Sequence, residues 1–250
     1  MAHKTDHDVV WITGASSGIG FALVKQYLDA GWRVIASARK PGELSALFAS
    51  HSLLSFLPFD VTDSDQVETV RQALLLSTEH LDCAILNAGT CEYLEMTTSP
   101  IDWEMMDRVM SVNFFGLVNS VALCLPLLKK SSCGHLVGVS SQAVQAAFPQ
   151  AEAYGASKAA ARYFLSSLRM DLKPFKIDVT CLLPGFVDTP LTQKNTFSMP
   201  FLMSADDAAK RMFSALQSRP FEFAFPKRLS TMLWVARHFP KWWLGKVAPR

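Results

Sequence analysis

Residues 9–30 read VVWITGASSGIGFALVKQYLDA. An apolar run, Val9–Ile12, meets a glycine-rich turn. The turn opens a stretch with Ile19, Leu23, Val24, Tyr27 and Leu28 at helical spacing, and Gly31 stops it. In the order strand, turn, helix, the turn aims free backbone N–H groups and the positive helix end at one spot, where a pyrophosphate can be held. The glycines are Gly14, Gly18 and Gly20, spaced GxxxGxG rather than GxGxxG. Glycine there lets the chain turn tightly and come close to a ligand. A glycine-rich turn also occurs where nothing binds, so the flanking strand and helix carry the reading.

The same alternation runs on down the chain. Strands are expected at Arg33–Ala38, Leu53–Leu57, Leu81–Leu86, His135–Ser140, Ile177–Leu183 and Phe221–Phe225. Helices are expected at Glu43–Ser50, Ser64–Glu79, Ile101–Ser111, Phe115–Lys129, Ala151–Leu172 and Ala205–Ser218. The strands are short continuous apolar runs, which is the pattern of a parallel sheet covered by helices on both faces. No Pro/Gly-rich linker, internal repeat or low-complexity segment interrupts the order. The expectation is α/β: one Rossmann-type, doubly wound domain over residues 1–250.

Composition narrows the function. The 250 residues are 50% hydrophobic and 18% charged, enough for a sizeable single core, and the net charge is +2. No basic run with interleaved aromatics favours nucleic acid. The five cysteines, Cys83, Cys91, Cys124, Cys133 and Cys181, are scattered without CxxC spacing, and the six histidines do not cluster. That argues against a metal site or a disulfide framework and for a reducing cytoplasm. The N-terminal MAHKTDHDVV has no apolar core of a secretory signal, and no uninterrupted run reaches the roughly 18 apolar residues of a membrane span.

In dinucleotide folds an acid at the end of the second strand grips the ribose hydroxyls. Here that strand ends Ser37-Ala38-Arg39-Lys40, with Ala38 at the acid's place and Arg39 beside it. A carboxylate would repel a 2′-phosphate, whereas Arg39 pairs with one, so the expected cofactor is NADP, with NADPH preferred over NADH. A solvated cation at a strand end is the competing reading.

Further motifs follow: DVTD at Asp60–Asp63, NAG at Asn87–Gly89, Asn113 within SVN, Ser140-Ser141, YGASK at Tyr154–Lys158, and PGFVDT at Pro184–Thr189. Each is weak alone. In this order after TGASSGIG, over roughly residues 8–190, the chain resembles the classical short-chain dehydrogenases/reductases. The resemblance implies a catalytic set of Asn113, Ser141, Tyr154 and Lys158. It implies cofactor contacts from the glycine turn (Gly14, Ser16, Ser17, Gly18, Ile19, Gly20), from Arg39, Asp60 and Val61, and from Asn87, Ala88 and Gly89. Tyr154, Lys158, Pro184, Gly185, Val187 and Thr189 complete that list. Asn113 matches an asparagine that holds a water in a proton relay. Ser141 lies thirteen residues before Tyr154, the offset of the substrate-binding serine, which favours it over Ser140. Two departures, Leu86 before Asn87 and SSQAVQAAF after the serines, leave the shape of the pocket open.

The residue types suit carbonyl reduction. A phenol has a pKa near 10 and is a poor acid unaided; a nearby ammonium favours its ionised form. Tyr154 and Lys158 stand four apart, on one side of a helix, with small neighbours. Lys158 is expected to lower the Tyr154 pKa and to hold a ribose, while Ser141 donates to the developing oxyanion. The alternative is a non-catalytic NADP-binding regulator or scaffold of the same fold.

Two segments are left. The variable lid, about residues 190–204, carries Phe197, Met199, Phe201 and Met203, which suggest an apolar small-molecule carbonyl or alcohol substrate or else ordinary core packing. The C-terminal tail, about residues 226–250, is basic and aromatic, with Leu229, Met232, Leu233 and Ala236 on one helical face and Trp242 and Trp243 beside Lys241 and Lys246. It packs on the domain, walls the pocket, joins an oligomer contact or lies on a membrane surface; packing is preferred. The family resemblance implies a homodimer or homotetramer built on the helices at Phe115–Lys129 and Ala151–Leu172.

Overall fold

The computed structural model of the protein describes residues 7–94, 101–195 and 197–247. Seven parallel strands form one sheet: β1 (Val9–Thr13), β2 (Arg33–Ala38), β3 (Leu54–Pro58), β4 (Cys83–Leu86), β5 (His135–Val139), β6 (Asp178–Pro184) and β9 (Glu222–Phe225). Their order across the sheet is β3-β2-β1-β4-β5-β6-β9. A two-stranded parallel ladder, β7 (Val187–Asp188) with β8 (Met203–Ser204), lies in the segment read as a lid.

The continuous apolar strands are buried on both faces because helices cover both. Successive side chains of a strand point to opposite faces. In β1, Val9 and Trp11 enter one core layer while Val10 and Ile12 enter the other. The Trp11 layer packs under α2 (Gln66–Ser77), α4 (Gly116–Leu128) and α5 (Glu152–Leu172). The Val10 layer packs under α1 (Gly18–Asp29) and α6 (Ala205–Leu216). Every residue of β1, β4 and β5 is buried.

The strand order positions the site. From β1 the sheet grows one way through β2 and β3, and the other way through β4 to β9. At this switch the connections leave on opposite faces, so a crevice opens beyond the carboxyl ends of the strands.

Two expected helices differ. The helix expected at Glu43–Ser50 is only a 3₁₀ turn, Gly42–Ala46. Leu44 alone of that turn is buried, so no apolar stripe rewards a longer helix. The turn is instead tied to the glycine loop, Glu43 N–H donating to Ser16 O at 3.1 Å. The two helices expected at Ile101–Ser111 and Phe115–Lys129 are one continuous helix. In it α3 (Trp103–Met110) passes through a π turn (Ser111–Phe115) into α4. The linking residues Val112, Asn113 and Phe114 include no helix breaker, and the π turn absorbs the misfit in register. The joined helix Trp103–Leu128 is 26 residues long with a mean hydropathy of 1.7 over its most apolar window, long and apolar enough to cross a membrane. Half of that window is buried within the fold, where Leu117, Val121, Leu123, Cys124, Leu127 and Leu128 join the core. The C-terminal segment forms α7 (Lys227–His238) and α8 (Pro240–Val247).

Candidate active site

The carboxyl ends of β1, β2, β4, β5 and β6 floor a cleft of about 1140 Å³. At its centre is the turn between β1 and α1. Gly14 takes φ +64°, and a Cβ there would stand 2.7 Å from Ala88 Cα, so only glycine lets this turn pass so close to the loop after β4. Asn87 clamps the two together. Its amide donates to Thr13 O at 3.2 Å and Gly14 O at 3.1 Å, while its own N–H donates to Thr13 Oγ1 at 3.1 Å. Ser17, at the N-cap of α1, makes no side-chain cap bond, so the first-turn N–H groups are left facing the cleft. This donor set and the positive helix end fit a pyrophosphate.

Ser16, Ser17, Gly18, Ile19, Arg39, Asp60, Val61, Asn87, Ala88, Gly89, Tyr154, Lys158, Pro184, Gly185, Val187 and Thr189 line this cleft with Gly14. Arg39 and Lys40 are exposed at its rim beside the buried Ala38. The Asp60 carboxylate accepts from Thr62 N–H at 3.0 Å and Thr62 Oγ1 at 2.8 Å, which fixes its direction. Gly20, expected at the cofactor, and Asn113, expected to hold a relay water, are not on the cleft wall. Gly20 lies beneath the turn, where a Cβ would stand 2.1 Å from Gly14 O. The spacing of the three glycines shows which residues share the turn but not which of them packs under it.

Asn113 sits in the π turn and is 2% exposed. Its Oδ1 accepts from Thr90 N–H at 2.8 Å, and its Nδ2 donates to Thr90 O and Ser157 Oγ, each at 2.9 Å. Both amide hydrogens are therefore used by the protein, and a relay water has only carbonyl oxygens of this residue to bind. Ser157 Oγ in turn donates to Tyr154 O at 2.8 Å. Asn113 thus ties the loop after β4 to the first half of α5.

Tyr154 and Lys158 project from the first half of α5. The Lys158 ammonium, 4% exposed, donates to Val139 O at 2.9 Å and keeps further donors for a ligand. Burial lowers its pKa to about 8. The Tyr154 phenol is pushed up to about 12, chiefly by burial, against a hydrogen bond from Ser141 that favours the ionised form. The expected lowering of the phenol by Lys158 is not seen: Nζ lies 6.0 Å from the ring centroid, and burial raises the phenol. At neutral pH the phenol holds its proton.

The two serines separate. Ser140 Oγ donates to Lys158 O at 2.9 Å and anchors α5. Ser141 Oγ accepts from Ala143 N–H at 3.1 Å, which leaves its hydroxyl hydrogen for the Tyr154 oxygen or a ligand. Ser141, Tyr154 and Gly185 line both the cleft and a second cavity of about 90 Å³ that adjoins it.

That second cavity is walled by Phe148, Phe186, Phe197, Leu191, Leu229 and Leu233. Of the four lid side chains that suggested either an apolar substrate or core packing, Phe197 lines it. Met203 packs against the Val10 core layer and Phe201 stands 42% exposed. Tyr93, absent from the sequence reading, crosses from the loop after β4. Its hydroxyl donates to Asn195 Oδ1 at 2.7 Å, and its ring meets Phe197 edge-on at 5.7 Å. No local pattern marked Tyr93, Phe148 or Phe186. The Leu229–Leu233 spacing on α7 did mark a buried face, and that face walls the pocket.

Comparison with known proteins gives the same picture. The family described as short chain dehydrogenase matches residues 8–199. An uncharacterized oxidoreductase of Myxococcus xanthus is 35% identical over 92% of this chain and 91% of its own length. A benzil reductase ((S)-benzoin forming) of Saccharomyces cerevisiae is 36% identical over 73% of each chain. A short chain dehydrogenase from Burkholderia cenocepacia, solved in complex with NADP, superposes with a TM-score of 0.83 at 25% identity, covering 98% of each chain.

Proposed function

The chain belongs to the short-chain dehydrogenase family and is an oxidoreductase of that kind, and on that premise we propose that it is an NADP(H)-dependent carbonyl reductase or alcohol dehydrogenase, residues 1–250 acting as one cofactor-binding domain. The observation that carries this reading is that Ser141 and Tyr154 stand where the large cleft and the apolar cavity meet. A bound nicotinamide supplies or accepts the hydride. The chain's own residues handle the rest. Ser141 donates a hydrogen bond to the substrate oxygen, and Tyr154, protonated at neutral pH, gives that oxygen its proton. Lys158 offers its remaining N–H groups to a ribose hydroxyl, and the Asn113 clamp holds the loop after β4 against α5. Ala38 and Arg39 support NADPH over NADH, because no carboxylate meets a 2′-phosphate and a cation does.

The aromatic walls, and the benzil reductase among the relatives, support an apolar carbonyl or alcohol as substrate. Five free thiols suit a reducing cytoplasm. Phe115, exposed at 54% on the π turn that leads into α4, and Tyr163 and Met170, exposed at 79% and 70% on α5, support a homodimer or homotetramer through those helices.

The test is a panel of apolar ketones and aldehydes, followed by NADPH absorbance. Tyr154→Phe is expected to bind NADPH as the parent does and to lose about 10²-fold or more in turnover. Turnover at the parent rate removes Tyr154 from the reaction. NADPH binding without turnover of any carbonyl favours a regulatory protein.

A further inference from the structure

The described tail, α7 and α8, has two unlike faces. One face of α7 buries Leu229, Leu233 and Ala236 to 1% exposure or less against the body. The other is not covered. On a helix of 3.6 residues per turn, Lys227, Trp234 and His238 fall on the side opposite that buried stripe. Trp234, Phe239, Trp242 and Leu244 are exposed at 57%, 60%, 48% and 63%, four large apolar groups within eleven residues. Arg237, Lys241 and Lys246 are exposed among them.

Charge singles out one kind of occupant. Residues 223–250 hold six Lys/Arg and no Asp/Glu, while the whole chain carries +2, so the remaining residues are net acidic. An anionic surface therefore attracts this end of the molecule and repels the rest, which fixes an orientation. Tryptophan and phenylalanine beside lysine and arginine match the interface of an anionic bilayer. There the rings reach the acyl boundary and the cations meet the headgroups. A second copy of this chain would bring six further cations against these six, which weighs against self-association at this face.

We propose that α7 and α8 dock the protein on the surface of an anionic lipid bilayer. The position gives the docking a purpose. Trp243 Nε1 donates to Ala147 O at 2.6 Å and its ring meets Phe148 edge-on at 5.4 Å. Phe148, Leu229 and Leu233 wall the apolar cavity beside Tyr154. Docking sets that cavity beside the bilayer, where apolar carbonyl compounds dissolve. This last step rests on the reductase reading; the docking itself does not.

The test is sedimentation of the full chain with phosphatidylcholine vesicles and with phosphatidylcholine–phosphatidylserine vesicles, at low and at high salt, with tryptophan emission followed in parallel. Pelleting with the anionic vesicles only, weakened by salt and accompanied by a blue shift, is expected. Neutralising two cations (Lys241→Gln with Lys246→Gln) is expected to weaken binding roughly 30-fold. Trp234→Ser with Phe239→Ser and Trp242→Ser is expected to abolish the blue shift at unchanged turnover of a water-soluble carbonyl. Turnover reports on the reductase reading and sedimentation on the docking, so either can fail alone. Equal pelleting with both vesicles at all salt concentrations overturns the proposal, as does no pelleting. Self-association lost in the same triple variant without vesicle binding also overturns it, in favour of a second copy. Retention on an oligonucleotide instead of vesicles overturns it in favour of nucleic acid.

Discussion

The substitution Gly20→Ala sets two effects of opposite sign against each other. Gly20 is the third residue of α1, and its φ is not positive. By helix propensity alone, alanine there is better than glycine by about 1 kcal/mol. Against that stands the position of the added methyl, 2.1 Å from Gly14 O, 2.7 Å from Asn87 Nδ2 and 2.9 Å from Gly14 C. Two of these three atoms are backbone, so no side-chain rotation clears them. The turn or the helix must move, at a cost of about 1–3 kcal/mol for overpacking. The bond from Asn87 Nδ2 to Gly14 O, now 3.1 Å, is lost with it, at about 1–3 kcal/mol for a donor left without its partner. The clash wins, and the net loss is about 3 kcal/mol. At roughly 2–4 °C per kcal/mol for a chain of this size, Tm falls by about 6–12 °C. The pyrophosphate donors sit on the displaced turn, so NADPH affinity falls at least about tenfold. Gly31→Ala is the control: Gly31 takes φ +79° with nothing within 4 Å of an added Cβ, so it reports backbone strain alone, about 1–2 kcal/mol. Thermal unfolding by circular dichroism and calorimetric titration with NADPH measure both. A Gly20→Ala variant no less stable than Gly31→Ala, or more stable than the parent, refutes the argument that the missing Cβ at Gly20 is a packing requirement.

Three further outcomes are expected. Arg39→Ala should lower kcat/KM for NADPH relative to NADH by about 10- to 100-fold, the value of a charge-assisted phosphate contact; an unchanged ratio removes Arg39 from cofactor choice. His135, 4% exposed with Nε2 2.9 Å from Thr180 Oγ1, has its pKa lowered by burial to about 4, against an ordinary 6.5. The unfolded chain binds that proton more readily, so the contribution is intact above pH 6.5 and is lost as pH falls towards 4. At pH 4.5 the loss is roughly 2–3 kcal/mol. Urea unfolding at pH 7 and 4.5 should show His135→Met losing less stability over this range than the parent, and an equal loss rejects the assignment. Tyr93→Phe removes the 2.7 Å bond to Asn195 that joins the loop after β4 to the lid, and should raise KM for an apolar ketone about fivefold at nearly constant kcat. A fall in kcat with KM unchanged would instead tie Tyr93 to the chemistry.

Much of the framework was legible in local patterns. The run VVWIT before GASSGIG, and the later alternation of apolar runs with helical spacing, indicated a doubly wound sheet, and the seven parallel strands have that arrangement. Tyr154 and Lys158 stood out because a four-residue spacing on a helix is itself a statement about proximity. Patterns of this kind extend over two to four residues. They fail where no buried stripe rewards an element, as at Gly42–Ala46, and where a helix absorbs an extra residue, as in the π turn that carries Asn113.

What the tertiary structure decided is of another kind. That Gly20 packs beneath the turn, that Asn113 is a clamp with no amide hydrogen to spare, and that burial raises Tyr154 while lowering Lys158 all depend on neighbours from other elements, such as Asn87 against Gly20 and Thr90 and Ser157 against Asn113. The pocket is the clearest case. Its walls come from the loop after β4, the turn after β5, the lid and α7, and nothing in any one of these segments encodes the other three. The sequence by itself determined the order of elements and the groups able to do chemistry, because backbone periodicity and side-chain reactivity are local properties. Only the packed sheet decided which of those groups meet and how far each is from water, because distance and desolvation exist only once the chain has closed on itself.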